Sequence, residues 1–291
     1  MRTAWAAGLL VLTSPLGGQA VPPPIPVIAD VAASVRSAGL GGAATGLPGY
    51  AAVVFDNPSA IGPIRVLSVE GAYAQGRDDL WYATAAAVAR TGPVNIGGGY
   101  RYLRFDDGGP VQDNLLATFA TTYRRGGAYL GASGKYVSVE DSSGKVFRTI
   151  SQDVGATLAF FDIAALGFSV QNLSPESLDG PTLDLPTTTR LGFSLNLIDN
   201  YSKGRLLLVT ESVWTDGDDR RTVLGVEAGM VFSGVGVVGR IGTGRQSRVA
   251  NDDATSYGGS LVLSRARLDY AYQRRNAVSR RVHSVGLRWT P

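Results

Sequence analysis

The chain has 291 residues, with 27 lysines and arginines against 24 aspartates and glutamates, so its formal net charge is only +3. This small excess gives no support for nucleic-acid binding. The absence of cysteine excludes disulfides, thiolate catalysis and cysteine-bound metals, and the single histidine excludes a histidine-rich metal site, so we expect no metal and no cofactor. The 38 glycines and the low charged fraction of 18% suit neither disorder nor an ordinary soluble core.

Residues 1–20 have the pattern of an export signal. Met1-Arg2 supplies a positive start, residues 5–12 form a short apolar run, and Gly18-Gln19-Ala20 is a small-residue cleavage site. We therefore expect cleavage before Val21 and export of the mature protein. A single helical anchor is the alternative, but the apolar run is shorter than the roughly 18 residues needed to span a membrane.

Residues 21–62 are predicted to form a linker, a short helix and a plug or hatch segment. The proline-rich stretch at 21–27 resists helix and sheet, and Asp30 is placed to cap a helix over residues 31–35 that ends near Gly39. A glycine cluster follows. A phosphate-binding loop would need a strand before these glycines and a long helix after them, and neither is predicted. The predicted glycines of the plug are Gly39, Gly41 and Gly42.

The segment closes with Asp56, Asn57 and Pro58, which complete the predicted plug residues. The side-chain amide of Asn57 can satisfy exposed backbone groups, and Pro58 fixes the direction of the chain. The glycines would allow close approach to a barrel wall. A plain turn into the first strand is the alternative interpretation, and both can hold at once.

Residues 63–291 alternate apolar with small or polar side chains. The clearest run places Leu191 and Phe193 on one face and Arg190 and Gly192 on the other. About fourteen such runs can be counted, each near the roughly ten residues of a tilted membrane strand. The predicted fold is all-β: a transmembrane antiparallel β-barrel of about 14 strands with a short N-terminal plug. The expected strand centres are Ser68, Ala85, Gly99, Phe119, Ser133, Thr157, Phe168, Phe193, Val209, Ala228, Val238, Leu261, Tyr270 and Val285.

Connections between these runs alternate in length. Those after even-numbered runs are short, as at Thr91-Gly92 and Ser233-Gly234, whereas those after odd-numbered runs are longer and more polar, as at residues 172–186. Outer-membrane barrels have short periplasmic turns and longer external loops. The protein is therefore predicted to lie in the bacterial outer membrane, in contact with its lipid. The even strand count places both termini in the periplasm.

Charged residues within the runs fall on the face opposite the apolar stripe. Five are acidic and five are basic, which favours cross-lumen ion pairs over one strongly selective ion pathway. A slip of one residue in register would turn such a charge towards lipid. The predicted lumen-facing residues are Glu70, Arg101, Lys135, Asp153, Arg190, Glu211, Glu227, Arg240, Asp269 and Arg288.

Residues 37–62 resemble the N-terminal signature of the PorV/PorQ-like and FadL-like outer-membrane proteins. The resemblance lies in Gly39-Leu40-Gly41-Gly42-Ala43 and in Asp56-Asn57-Pro58-Ser59-Ala60-Ile61. Residues 168–173 and 185–193 resemble the middle of PorV/PorQ-like sequences. The resemblance implies about fourteen strands with a hatch inside the barrel. Ser59 stands where the family has alanine, and the loops are short for a fatty-acid transporter.

Three classes of function are compatible with these features. The first is a PorV/PorQ-type secretion-accessory or translocation protein, whose partners would be secreted cargo or secretion-system components. The second is a FadL-like channel or transporter for small hydrophobic compounds, with Leu103, Leu116, Val137 and Val262 on the presumed inner face. The third is a hydrolase, for which only His283 could act as the base; its place at the start of the last run makes us expect no enzyme.

Overall fold

The computed structural model describes residues 31–76, 80–105, 112–118, 127–141, 143–161, 163–178, 183, 185–200, 204–216, 220–245, 253–275 and 281–291. The predicted signal peptide and most of the linker therefore lie outside the described residues. So does Phe119, which was the expected centre of the fourth strand.

The described residues form fourteen β-strands after a short N-terminal segment. The strands are β1 Leu67–Gly76, β2 Leu80–Thr91, β3 Val94–Phe105, β4 Gln112–Thr118, β5 Ala128–Glu140, β6 Val146–Phe160, β7 Ala164–Ser177, β8 Thr188–Asn200, β9 Gly204–Thr215, β10 Arg221–Phe232, β11 Val235–Arg245, β12 Asp253–Leu263, β13 Ala266–Arg275 and β14 Arg281–Trp289. Apart from Phe119, every expected strand centre lies within its strand.

Each strand pairs antiparallel with its neighbours in sequence, and β1 pairs with β14, so the sheet closes into a barrel. The closing register runs from Val69 opposite Trp289 to Gly76 opposite Val282. Among the strands that the structure describes, closure leaves none at an edge of the sheet. The predicted fold class, an all-β barrel of about 14 strands with an N-terminal plug, is confirmed.

Side chains alternate between a polar inner face and an apolar outer face. On β8, Leu191 and Phe193 are each 40% exposed, whereas Arg190 between them is 9% exposed. The same inversion of a soluble protein's pattern holds on β14, where Val285 and Leu287 are exposed and Ser284 is buried. Apolar groups on the outside of a closed barrel have no partner in water, but they match the lipid environment of a membrane barrel.

The two ends of the barrel differ in their connections. One end, called here the short-turn end, carries tight turns at which Gly92, Phe161, Ser233 and Ser264 have left-handed backbone angles. The opposite end, the long-loop end, carries the longer connections between odd- and even-numbered strands. Strand β1 begins and β14 ends at the short-turn end, so the C-terminus lies there.

The segment before β1, residues 31–66, runs through the lumen and is called the plug. It contains the helix α1, Val35–Gly39, and two 3₁₀ helices, Ala51–Phe55 and Pro58–Ile61. The predicted helix over residues 31–35 starts four residues too early, whereas its predicted end near Gly39 is correct. The reason is that Ser34, in extended backbone, caps α1 by accepting a hydrogen bond from the backbone N–H of Ser37. Among the described residues, no helix is long and apolar enough to cross a membrane.

Candidate functional site

The plug supplies most of the interior of the barrel. Its side chains Leu40, Leu47, Val53 and Ile61 are at most 2% exposed and form one apolar cluster with inward-facing residues of the wall. The wall residues in this cluster are Ala86, Val88, Leu207, Val209 and Val223. The plug is too small to bury these groups against itself, so its apolar stabilisation comes from the wall.

Inward-facing glycines form a belt where the plug touches the wall. At Gly167 an added Cβ would meet the carbonyl oxygen of Thr45, and at Gly242 it would meet the backbone N–H group of Gly41. These clashes are with plug backbone, which cannot rotate out of the way. The members of this glycine belt are Gly99, Gly131, Gly155, Gly167, Gly192, Gly225, Gly242, Gly258 and Gly286. Their lack of side chains allows the plug to seat.

A cluster of buried charges joins helix α1 to strands β10, β11 and β13. The guanidinium of Arg36 binds both carboxylate oxygens of Glu227, at 3.0 and 2.9 Å. Arg240 donates to the same carboxylate at 2.7 Å and lies 3.1 Å from Asp269, which also accepts from Arg267 at 3.0 Å. We call these five residues the arginine cluster. A bidentate, charge-assisted pair of this kind holds the plug to the wall with defined geometry.

A second attachment is made by Glu211 on β9. Its Oε2 accepts hydrogen bonds from the backbone N–H groups of Ala44 and Thr45, at 2.7 and 2.8 Å. Its Oε1 accepts from Arg190 at 3.1 Å, and Arg190 also donates to Gln171. Glu211 is 1% exposed, so its charge is compensated entirely by these donors.

Asn57 organises the end of the plug, and its side chain is fully buried. Its Nδ2 donates to the carbonyl oxygen of Thr45 and to the hydroxyl of Thr157 on β6, each at 3.1 Å. Its Oδ1 accepts from the backbone N–H and the hydroxyl of Ser59, at 3.1 and 2.7 Å. Asn57 is thus both the cap of the second 3₁₀ helix and a contact with the wall, whereas the hatch interpretation stays a prediction. The predicted Pro58 follows at the first position of that helix.

Asp56 lies beside this network, in the plug and outside the membrane-spanning strands. Its carboxylate is 3.7 Å from Nη1 of Arg190, while its carbonyl oxygen accepts from Ser169 at 2.8 Å. Burial raises the pKa of the Asp56 carboxyl to about 6, with the attraction of Arg190 opposing the shift and the repulsion of Glu211 adding to it. The seated plug therefore favours the protonated form.

This shift predicts that the plugged state is more stable at mildly acidic pH. Because the folded pKa lies above the ordinary value of 3.8, stability is lost as pH rises from about 4 to about 6 and is constant above that. A shift of about two units corresponds to about 3 kcal/mol. Asp56→Asn should flatten the pH dependence of the unfolding midpoint over this range. A variant as pH-dependent as the wild type would contradict the assignment.

The remaining predicted charges also lie on the inner face. Lys135 pairs with Asp153 at 2.7 Å, and Arg101 donates to the carbonyl oxygen of Val31 at 2.5 Å. Across the seam between β1 and β14, Arg288 donates to Glu70 at 3.2 Å. The plug residue Tyr50 lies against this pair, with its ring centroid 4.8 Å from the guanidinium of Arg288 and 5.8 Å from that of Arg36.

The predicted plug glycines Gly39, Gly41 and Gly42 have different structural roles. Gly41 and Gly42 have φ angles of 77° and 93°, so both need the left-handed backbone that glycine allows. Gly41 donates its N–H to the hydroxyl of Ser256 at 2.8 Å, and Gly39 approaches the backbone of Gly258. The chain can therefore turn sharply after α1 while staying close to β11 and β12.

Apolar surfaces lie on both sides of the plug. Near the long-loop end, Val31 packs against Leu80, Tyr82, Leu103 and Val282 on the inner wall. Near the short-turn end, a cavity of about 450 Å³ lies between plug and wall. Its apolar lining includes Leu47, Pro48, Pro63, Leu207, Val238 and Val262, and Arg36, Glu227 and Arg267 border it. The Val31 cluster is packed and buried, whereas the cavity is open space between plug and wall.

His283 is far from this interior. It lies on the outer face of β14, with Nδ1 2.8 Å from the hydroxyl of Tyr270. Among the residues that the structure describes, no group of three His, Cys, Asp or Glu side chains is arranged to hold a metal ion.

Two parts of the site were missed by reasoning from the sequence. Arg36 carries no signal of its function, because its partner Glu227 lies 191 residues away along the chain. The glycine belt had a signal: Gly167, Gly192 and Gly225 all occur on the polar face of their strands. Glycine weakens a strand unless another backbone approaches it closely, so this placement marks contact with an internal segment.

The fold and the site together define a closed fourteen-strand barrel whose lumen is filled by its own N-terminal plug. No protein-family model and no curated protein matches the chain. The structure is similar to CymD, a monoaromatic hydrocarbon channel, with a TM-score of 0.62 and 12% identity over 88% of this chain and 96% of that one.

Two further structures have similar architecture. The toluene transporter TodX of Pseudomonas putida gives a TM-score of 0.60 and 11% identity, with 87% of this chain and 95% of that chain covered. A FadL homologue of Pseudomonas aeruginosa gives 0.56 and 13%, with 87% and 98% covered. At such low identity the likeness concerns the fold alone, a closed antiparallel β-barrel.

Proposed function

We propose that this protein is an outer-membrane channel for small hydrophobic compounds, gated by its plug. The observation that carries the proposal is the cavity of about 450 Å³ between plug and wall, whose lining is mostly apolar. A non-polar molecule has favourable contacts in this cavity, and the plug lies between it and the long-loop end. The fold neighbours described as a hydrocarbon channel and a toluene transporter support this substrate class.

The outer face supports a place in the bacterial outer membrane. Aromatic residues on the outer face mark the two ends of the apolar band: exposed Tyr73 with half-buried Trp81 and Tyr102 near the long loops, and exposed Phe160, Phe232 and Trp289 near the short turns. The amphipathic rings of tyrosine and tryptophan prefer the interface between lipid and water, and outer-membrane barrels carry aromatic girdles there. The short-turn end and the C-terminus are assigned to the periplasm. The predicted periplasmic position of the mature N-terminus remains a prediction, because residues 21–30 lie outside the described residues.

The plug is proposed as the gate because polar contacts, which can be exchanged for water, hold it to the wall alongside the apolar cluster. The arginine cluster, Glu211 and Asn57 attach it on different strands of the wall. The secretion-accessory interpretation would need a surface for cargo, and the fold neighbours favour the channel instead. That interpretation therefore remains an unsupported prediction.

A removable covalent tether tests the gate. The hydroxyl oxygens of Ser59 in the plug and Thr157 in the wall are 2.7 Å apart, and the chain has no native cysteine to interfere. In the double variant Ser59→Cys/Thr157→Cys, we expect oxidation to stop uptake of a small aromatic hydrocarbon into proteoliposomes. A reducing agent should restore it.

The two single-cysteine variants are the matched controls and should respond to neither reagent. Undiminished uptake in a fully oxidised double variant would show that the plug is not the gate. Absence of hydrocarbon uptake by the wild-type protein, compared with empty liposomes, would contradict the channel itself.

A further inference from the structure

Strands β13 and β14 present an ordered series of side chains on their outer face. Their register places Leu268 opposite Leu287, Tyr270 opposite Val285, Tyr272 opposite His283, and Arg274 opposite Arg281. The inward-facing residues between them, including Ala271, Gln273 and Val282, are buried, which fixes the outward direction of this series. Towards the long-loop end, the outer face thus changes from aliphatic to aromatic to cationic.

At the cationic end of this series, two arginines of like charge lie directly opposite each other on the two strands. Arg274 and Arg281 are both exposed. Within the part of the chain that the structure describes, neither guanidinium forms an ion pair with a carboxylate. Like charges at opposed positions of an antiparallel pair destabilise the sheet. An anion held between them removes that repulsion, and guanidinium groups match phosphate oxygens in geometry.

Neighbouring groups add polar and apolar contacts below the arginines. The hydroxyl of Tyr270 lies 2.8 Å from Nδ1 of His283, which leaves Nε2 of the exposed ring for another partner. The ring centroids of Tyr272 and His283 are 5.0 Å apart. Leu268 and Leu287, more than half exposed, continue the outer surface towards the short-turn end. This order matches a lipid with a phosphorylated headgroup and acyl chains below it.

We propose that Arg274 and Arg281 together bind a phosphate group of an anionic lipid in the outer leaflet, with the acyl chains along the outer face of β13 and β14. The inference rests on the proposed outer-membrane placement, with the long loops facing outward. Because lipid tails contact the leucines while the guanidinium groups contact phosphate, the site selects a phosphorylated lipid over free phosphate.

Native mass spectrometry of the detergent-purified protein tests this site. The probes are bisphosphorylated lipid A, lipid A without phosphate groups, and inorganic phosphate. We expect Arg274→Gln and Arg281→Gln each to weaken binding of bisphosphorylated lipid A by about tenfold, the effect of losing a charged hydrogen bond. The wild-type protein should bind the other two probes far more weakly.

Two variants separate lipid recognition from folding. Arg104→Gln is the matched control, because Arg104 is an exposed arginine near the same end that faces Trp81 rather than another cation. It should bind lipid A as the wild type does. Arg274→Glu creates an attractive pair with Arg281, so we expect a higher unfolding midpoint in lipid-free detergent together with loss of lipid A binding.

Unchanged lipid A affinity in the Arg274→Gln/Arg281→Gln double variant would overturn the site. So would an equal loss in Arg104→Gln, or inorganic phosphate binding as tightly as lipid A. Hydrocarbon uptake is measured in parallel on the same proteins. Uptake without selective lipid binding would support the channel function and reject the lipid site. Selective lipid binding without uptake would support the lipid site and reject the channel function.

Discussion

Glu227→Gln is expected to destabilise the plugged barrel by about 3–5 kcal/mol, the cost of leaving buried cations without their counter-charge. The Glu227 carboxylate is 1% exposed and accepts from Arg36 and Arg240 at 2.7 to 3.0 Å. Arg267 and Arg205 lie 3.6 and 3.8 Å from it. Glutamine keeps the shape but removes the charge. The unfolding midpoint in detergent measures the effect, and channel openings in planar bilayers should become more frequent.

The matched control is Glu176→Gln, the same substitution at an exposed position on β7. It should change stability by less than about 0.5 kcal/mol. A double-mutant cycle with Arg36→Gln isolates the contact between plug and wall, since the two changes should be non-additive if the residues interact. Additive effects, or a Glu227 variant as stable as the control, would contradict the role assigned to the arginine cluster.

Gly242→Ala is expected to lift the plug away from β11. The added methyl group would collide with the backbone of Leu40 and Gly41, including the Cα of Gly41 at 2.8 Å. Overpacking of this kind costs about 1–3 kcal/mol when the neighbours cannot relax. Here the segment that can relax is the plug. We therefore expect a larger single-channel conductance and faster proteolysis of the plug in the folded protein.

Gly239→Ala provides the comparison on the same strand. A Cβ at Gly239 meets no atom within 4 Å, because this residue faces outward. It should leave conductance unchanged and cost no stability, since alanine restricts the unfolded chain more than glycine does. Equal conductance in the Gly242 and Gly239 variants would show that the glycine belt does not determine how the plug sits.

The barrel could be predicted from the sequence because side chains alternate between the two faces of a strand with a period of two residues. Once the apolar stripe containing Leu191 and Phe193 was assigned to lipid, Arg190 had to point into the lumen. Hence the strand count, the alternating loop lengths and the general position of the plug could all be predicted. The evidence for these features is local or repeated along the chain.

The details of the site depend on contacts that no local pattern encodes. The two-residue period of a strand shows which face Glu211 occupies. It does not show that the Glu211 carboxylate accepts hydrogen bonds from two backbone N–H groups of the plug. Nor does this period show that Arg190 lies between Glu211 and Asp56. Such pairings follow from how the plug is rotated in the lumen. That rotation is set by many contacts distant in sequence.

The seam between β1 and β14 has a consequence for the folding rate of the protein. Glu70 and Arg288, which pair across the seam, are 218 residues apart in the chain. Closing the barrel therefore carries a large loop-entropy cost, which must be met before the seam contacts form. Tyr50 lies only 20 residues before Glu70 in the sequence, yet it packs against Arg288. A plug that has already collapsed onto β1 thus offers the last strand a docking surface. We expect Tyr50→Ala to slow refolding if the plug packs against β1 before the barrel closes; an unchanged refolding rate in lipid vesicles would contradict that order.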